Sequence, residues 1–166
     1  MSKRMEARLS EKERDRYHEY LAERYEGGVI EQSSEQRQQK EFFLPHHGIL
    51  KGEKLRVVFN GSFRDGRGIS LNEYLDPGEN LLLRLLHVLL VFRMGAYATQ
   101  NDICAAFHRI VVTAEDRRYL KFFWKGCELN FFRFPFGLSC SPNALLRTVV
   151  EHIRHFEDQI ENHFEL

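Results

Sequence analysis

Near the end of the chain Leu145, Leu146, Val149, Val150, Ile153, Phe156, Ile160 and Phe164 recur at spacings of 3, 4 and 1. At 3.6 residues per turn these positions fall on one side of a long helix. Ser141-Pro142 predicts where it begins, with serine as N-cap and proline at the first helical position, where a missing N–H costs nothing. A one-sided helix of this length needs a second layer to cover its stripe. Strands are available upstream. "EFFLPHHGIL" and "KLRVVFN", joined around Lys51-Gly52-Glu53, predict a hairpin with a basic tip. "AYATQNDI", "RIVV" and "YLKFFW", then "LNFFRFPF" after the turn "KGC", predict further strands. Helices and antiparallel-type strands alternate without βαβ regularity, so the fold class is α+β.

Other stretches fill in the order of elements. "SEKE" at Ser10–Glu13 has the form of a capping box, and Tyr17, Tyr20, Leu21 and Tyr25 follow at helical spacing before Gly27-Gly28 stops the helix. Residues 31–40, "EQSSEQRQQK", read as a polar loop. "GSFRDGRGISLNEYLDPGEN" is a long turn-rich connection, a kind that is usually functional or mobile. "LLLRLLHVLLVFRMG" is apolar on most faces and predicts a buried helix closed by Gly95.

Composition narrows the class. A chain of 166 residues that is 43% hydrophobic, with 14 Phe, is one domain or a large part of one, and it has enough apolar mass for a core. Lys+Arg and Asp+Glu balance at 24 each, so no global field draws the protein to nucleic acid or membrane. Locally the balance fails: residues 51–67 carry +3 and residues 151–166 carry −4. Cys104, Cys127 and Cys140 lack CxxC spacing and read as free thiols. The charged N-terminus is no signal peptide, and the most apolar run is too short to span a bilayer. An intracellular and most simply cytoplasmic protein is expected, with no membrane partner.

Three constellations can carry chemistry. In "YATQNDICAAFHRIVV" a single acid, Asp102, stands between apolar runs, with Phe107 five residues on. An aspartate at a strand end, with the next carbonyl, that of Ile103, also free, can bind magnesium, a hard ion that prefers oxygen. An aromatic one turn later can lie under a nucleotide sugar and collide with a 2′-hydroxyl. Equally, Asp102 can cap the turn "CAAFHR" and Phe107 can be core. In "FRFPFGLSCSPN" a glycine after an aromatic opens a tight loop before a helix start whose amides can hold phosphate, or the pattern is plain punctuation. At the hairpin, Lys51, Lys54 and Arg56 can fold over a triphosphate, with arginine binding bidentately, or can simply solubilise the tip.

Taken in order, "FFLPHHGILKGEKLRVVFNGSFRDGRGISLNEYL", "PGENLL", "YATQNDICAAFHRIVVTAEDRRYLKFFW" and "FRFPFGLSCSPN" resemble the fingers and first palm segments of reverse transcriptases of long-terminal-repeat retrotransposons, most closely the BEL/Pao type. The resemblance runs from about residue 42 to about residue 150. It implies three divisions: an N-terminal helix and polar loop over 1–40, a fingers-like hairpin, loop and buried helix over 41–95, and a partial palm with its C-terminal helix over 96–166. It also implies roles. Asp102 matches the first metal-binding aspartate, with the Ile103 carbonyl beside it, and Phe107 matches the sugar-gating aromatic. Arg56 matches a triphosphate-contacting arginine, and Lys51 or Lys54 would supply the fingers lysine. Phe136 and Gly137 match the loop beside nucleotide and template, and Ser141-Pro142 starts the helix on the template side. The implied cofactor is Mg2+, and the implied partners are an RNA or DNA template–primer and deoxynucleoside triphosphates.

The departures weigh as much. The family's aromatic-x-Asp-Asp hairpin lies downstream of the "SPN" helix, and no Asp-Asp pair occurs in this sequence. Cys104-Ala105 stands where relatives commonly carry an acidic–basic pair. Two magnesium ions need several carboxylate oxygens to offset their repulsion. The expectation is therefore a fold truncated before its second catalytic hairpin, inactive alone, with part of its palm uncovered and prone to self-association. A non-catalytic nucleic-acid or protein binding module is the alternative, and an unrelated α+β protein with a structural Asp102 is a third. Adjacent His46-His47 on a strand point to opposite faces and make a poor joint metal site. His108 reads as surface packing more readily than as a proton shuttle, and Trp124 as core at a strand end.

Overall fold

The computed structural model describes residues 9–33, 42–52, 54–82, 85–97 and 99–164, without the side chains of Lys51, Lys54 and residues 157–164. The first helix, α1 (Glu11–Glu26), begins where the capping box places it. Ser10 N–H and hydroxyl both donate to the Glu13 carboxylate, at 2.8 and 2.7 Å, and Glu13 N–H donates back to the Ser10 hydroxyl at 3.3 Å. These bonds hold the Glu13 carboxyl below its ordinary range. At the other end Gly27 N–H closes onto the Glu23 carbonyl, as the Gly27-Gly28 stop implies.

Among the described residues, five strands follow in two sheets. β1 (Ile30–Gln32) pairs antiparallel with β5 (Cys127–Phe131), and β5 pairs with β4 (Lys121–Trp124), giving the order β1-β5-β4. β2 (His46–Lys51) and β3 (Lys54–Phe59) form the predicted hairpin, with Lys51 opposite Lys54. β4 and β5 turn through Lys125 and Gly126, both at positive φ, the geometry a two-residue hairpin requires. Between β3 and β4 in the chain lie α2 (Leu71–Tyr74), α3 (Leu85–Phe92) and the short 3-10 turns Ala106–Arg109 and Arg117–Leu120. The last helix, α4 (Ser141–Phe164), is the amphipathic one that periodicity predicts.

α1 and the two sheets share one core. Tyr17 of α1 stacks on Trp124 at 4.4 Å between centroids, and Phe59 meets Phe122 and Phe131 edge-on at 4.9 and 4.7 Å. Trp124 is buried at a strand end, as expected. Phe122 and Tyr17 are fully buried, and Leu44 joins the cluster while its N–H donates to the Lys121 carbonyl. His46 is 1% exposed and His47 only half-buried, so the two do face apart. The His46 Nε2–H must donate to the Phe123 carbonyl at 2.9 Å, since a carbonyl only accepts, which leaves Nδ1 to accept the Tyr17 hydroxyl.

Several expectations are corrected. "AYATQNDI" forms no strand: its described residues lie outside every ladder, and a strand needs a partner more than it needs propensity. "RIVV" contributes a single bridge, Val111 to Arg133. The polar stretch after Gly28 starts with β1, because pairing with β5 overrides its composition; residues 34–40 lie outside the described residues. "LNFFRFPF" yields its strand earlier, over Cys127–Phe131, since the turn at residues 125–126 sets the register. α3 exists but is not buried, with Leu85 and Leu86 71% and 70% exposed. Its apolar residues make a helix by local preference, but among the described residues no layer covers them. Within the long connection 61–80, Arg64 and Ser70 form a bridge. Asp65 accepts from the Arg67 and Ile69 amides and the Arg67 guanidinium, which holds its carboxyl low. No described helix is long and apolar enough to cross a membrane.

Candidate functional site

Residues 132–140 link β5 to α4, and they position the loop that sequence marks as chemical. Val112 N–H donates to the Phe132 carbonyl at 2.9 Å, and Phe134 N–H donates to Ile110 at 3.0 Å. The Arg133 guanidinium adds bonds to the carbonyls of Gly28 and His108, at 3.2 and 3.3 Å. The 3-10 turn Ala106–Arg109 is thus fixed against the loop. Phe107 meets Phe136 edge-on at 4.8 Å between centroids, and the half-buried His108 ring approaches Phe136 at 5.5 Å. Phe136 remains 53% exposed, so the pair forms an aromatic wall with an open side. Burial, and then Arg24 and Arg133, push the His108 imidazole below its ordinary value, which keeps it neutral near pH 7.

Gly137 follows at φ +98°, and a Cβ there would sit 2.3 Å from the Phe59 carbonyl. Only glycine lets the loop lie directly on the end of β3, the strand that carries Arg56. Arg56 itself is exposed and opposite Ile49 in the hairpin ladder. Lys51 and Lys54 occupy the last ladder pair before the turn, and their side chains lie outside the described residues. Ser141 is buried, and its hydroxyl donates to the Pro135 carbonyl at 3.1 Å. That bond corrects the expected N-cap: the hydroxyl closes the loop, and the helix begins at Ser141 itself, with Pro142 exposed behind it.

Asp102 and Ile103 are exposed in irregular backbone. No hydrogen bond or ion pair among the described residues holds the Asp102 carboxylate, and it ends no strand. Downstream, Ala105 takes left-handed backbone at φ 50°, uncommon for a residue with a Cβ, and so redirects the chain into the turn that carries Phe107. Arg109 Nε–H, donating to the Cys104 carbonyl at 3.2 Å, ties the same turn. No group of three or more His, Cys, Asp or Glu among the described residues can hold a metal ion. One unsupported carboxylate does not fit a magnesium pair.

One residue escaped the sequence reading. The Asn72 amide group donates from Nδ2 to the Gly137 carbonyl at 3.0 Å and to the Ser62 hydroxyl at 2.9 Å, while its Oδ1 accepts Ser139 N–H at 3.0 Å. Nothing about "SLNEYL" marks that asparagine, because its partners in the loop are 65 and 67 residues away.

No family model matches the chain, and no curated protein matches it. Solved structures do. The native crystal structure of prototype foamy virus protease-reverse transcriptase aligns at TM-score 0.68 and 18% identity, covering 88% of this chain and 18% of that one. Foamy viral protease-reverse transcriptase in complex with dsDNA aligns at TM-score 0.62 and 17% identity, covering 86% of this chain and 28% of that one. The chain therefore has a reverse-transcriptase-like α+β fold and spans under a third of the length of these structures.

Proposed function

We propose that the chain is the fingers and part of the palm of a reverse transcriptase from a BEL/Pao-type retroelement, binding nucleic acid and nucleotide without polymerising by itself. The observation that carries the reading is the edge-to-face contact of Phe107 with Phe136, set on the end of the Arg56 strand by Gly137. A deoxyribose can pack on such a wall, whereas a 2′-hydroxyl would be forced against carbon with no hydrogen-bond partner. Arg56, with Lys51 and Lys54 on the same hairpin, supplies positive charge for phosphate. The exposed Phe136 ring gives a base or sugar a face to stack on.

Catalysis stands apart. RNA-directed DNA synthesis uses magnesium to stabilise charge on the attacking and leaving oxygens. Asp102 alone does not fit that ion pair. Binding to an RNA–DNA primer–template is measured by fluorescence anisotropy at two salt concentrations, together with primer extension in magnesium and deoxynucleotides. The expected result is salt-sensitive binding, with log K falling against log salt at a slope of about −2 to −3 for three phosphate contacts, and no extension. Absence of binding at low salt refutes the nucleic-acid reading, and extension refutes the claim of inactivity. The uncovered apolar faces of α3 and α4 give the same chain a tendency to self-associate.

A further inference from the structure

We infer that Asn72 is the positioning residue of the aromatic wall, a role that rests on the nucleotide-facing reading of that wall. Asn72 stands at the second position of α2, ten residues from Ser62 and 65 from Gly137, so it joins a nearby turn to a distant loop. Its backbone N–H donates to the Gly61 carbonyl at 2.9 Å, and its Nδ2 donates to Ser62, so it grips the turn that follows β3. The same Nδ2 donates to Gly137, and Oδ1 accepts from Ser139, so it grips the loop that carries Phe136. The Ser139 hydroxyl returns to the Asn72 carbonyl at 3.4 Å.

Side-chain chemistry restricts the position. The two loop contacts need a donor for a carbonyl and an acceptor for an amide on one short planar group, which an asparagine amide supplies. Aspartate keeps the acceptor but turns an oxygen on the Gly137 carbonyl. Alanine loses both. The neighbouring glycines leave the clamp no slack: a Cβ on Gly61 would lie 2.7 Å from both Asn72 Oδ1 and the Gly137 carbonyl. Asn72 holds the Gly137 carbonyl from one side and the Phe59 carbonyl lies close on the other, so the backbone that carries the preceding Phe136 is fixed where its ring meets Phe107.

The test uses the full chain as wild type, Asn72→Ala and Asn72→Asp, with amide exchange and ring–ring nuclear Overhauser contacts read by NMR. In Asn72→Ala the Ser139 amide is expected to exchange about tenfold faster, the effect of one lost hydrogen bond, and the Phe107–Phe136 contact to weaken by at least half. Asn72→Asp is expected to keep Ser139 protected while losing the ring contact, a split that general loosening does not produce. An unchanged ring contact in folded Asn72→Ala overturns the inference, as does an unchanged contact in Asn72→Asp should the alanine variant fail to fold. Where the wild type binds primer–template, both variants are expected to bind at least threefold more weakly, and equal binding overturns the positioning role. Where the wild type does not bind, the nucleic-acid reading falls, and the ring contact alone decides the clamp.

Discussion

At the scale of the residue, His46 carries the clearest consequence. Burial drives its imidazole from an ordinary value of 6.5 down to about 3, against the opposing pull of the Phe123 carbonyl. The unfolded chain therefore binds the extra proton, so stability is complete above pH 6.5 and is lost as pH falls toward 3. The loss is about 1.4 kcal/mol per pH unit across that window. Urea unfolding at about pH 7 and about pH 5 should show the midpoint falling in wild type and a flatter dependence in His46→Phe; equal slopes would discard the buried neutral imidazole. Gly137 carries another. Gly137→Ala drives a Cβ into the Phe59 carbonyl and adopts a backbone that costs a side chain about 1–2 kcal/mol, so thermal unfolding should move down by several degrees. Ala105→Gly, at φ 50°, should be neutral or stabilising in the same assay. That His46 and His47 face apart was legible, since strand alternation assigns opposite faces to adjacent residues, but which of them is buried was not. Asn72 was not, because a hydrogen bond across 65 residues leaves no local pattern.

At the scale of the element, the parts read correctly are those whose cause is local. The Ser10–Glu13 box and Gly27 set both ends of α1. Ser10→Ala should cost about 1 kcal/mol, seen as a lower urea midpoint, while Glu11→Ala nearby should cost little. The hairpin β2–β3 likewise follows from alternation and a glycine turn. Elements that depend on pairing were misread. Glu31 and Gln32 are polar yet lie in a strand, because β5 offers them a ladder. Tyr97, Thr99 and Ile103 are strand-forming by type and lie in no ladder. Ser141 was read as a helix cap, but its hydroxyl donates instead to the Pro135 carbonyl, placed by the loop.

Whole-molecule behaviour turns on uncovered apolar surface. α3 is exposed along its length, and Val150, Ile153 and Phe156 of α4 are 37%, 49% and 46% exposed. Surface of this kind rarely stays in contact with water on a free monomer. Sedimentation velocity should show mass increasing with concentration in the micromolar range, and Leu86→Lys with Leu89→Lys should reduce it. A monomer at every concentration would show that the exposed helix is tolerated. The stripe of α4 was visible in its spacing, but whether anything lies against it depends on elements brought from elsewhere.

The amino-acid order alone determined the mixed helix-and-strand class, the capping box of α1, the hairpin turn of β2–β3 and the apolar stripe of α4, since each follows from neighbours within a few positions. It also placed Asp102, Phe107, Phe136 and Gly137 in one resemblance. Only the tertiary structure decided that Phe107 touches Phe136, that Gly137 rests on β3, that Asn72 joins them, and that Asp102 is left without a supporting group. Contacts between distant segments are set by packing and by which polar groups must be paired once buried, and no short stretch of sequence contains both partners.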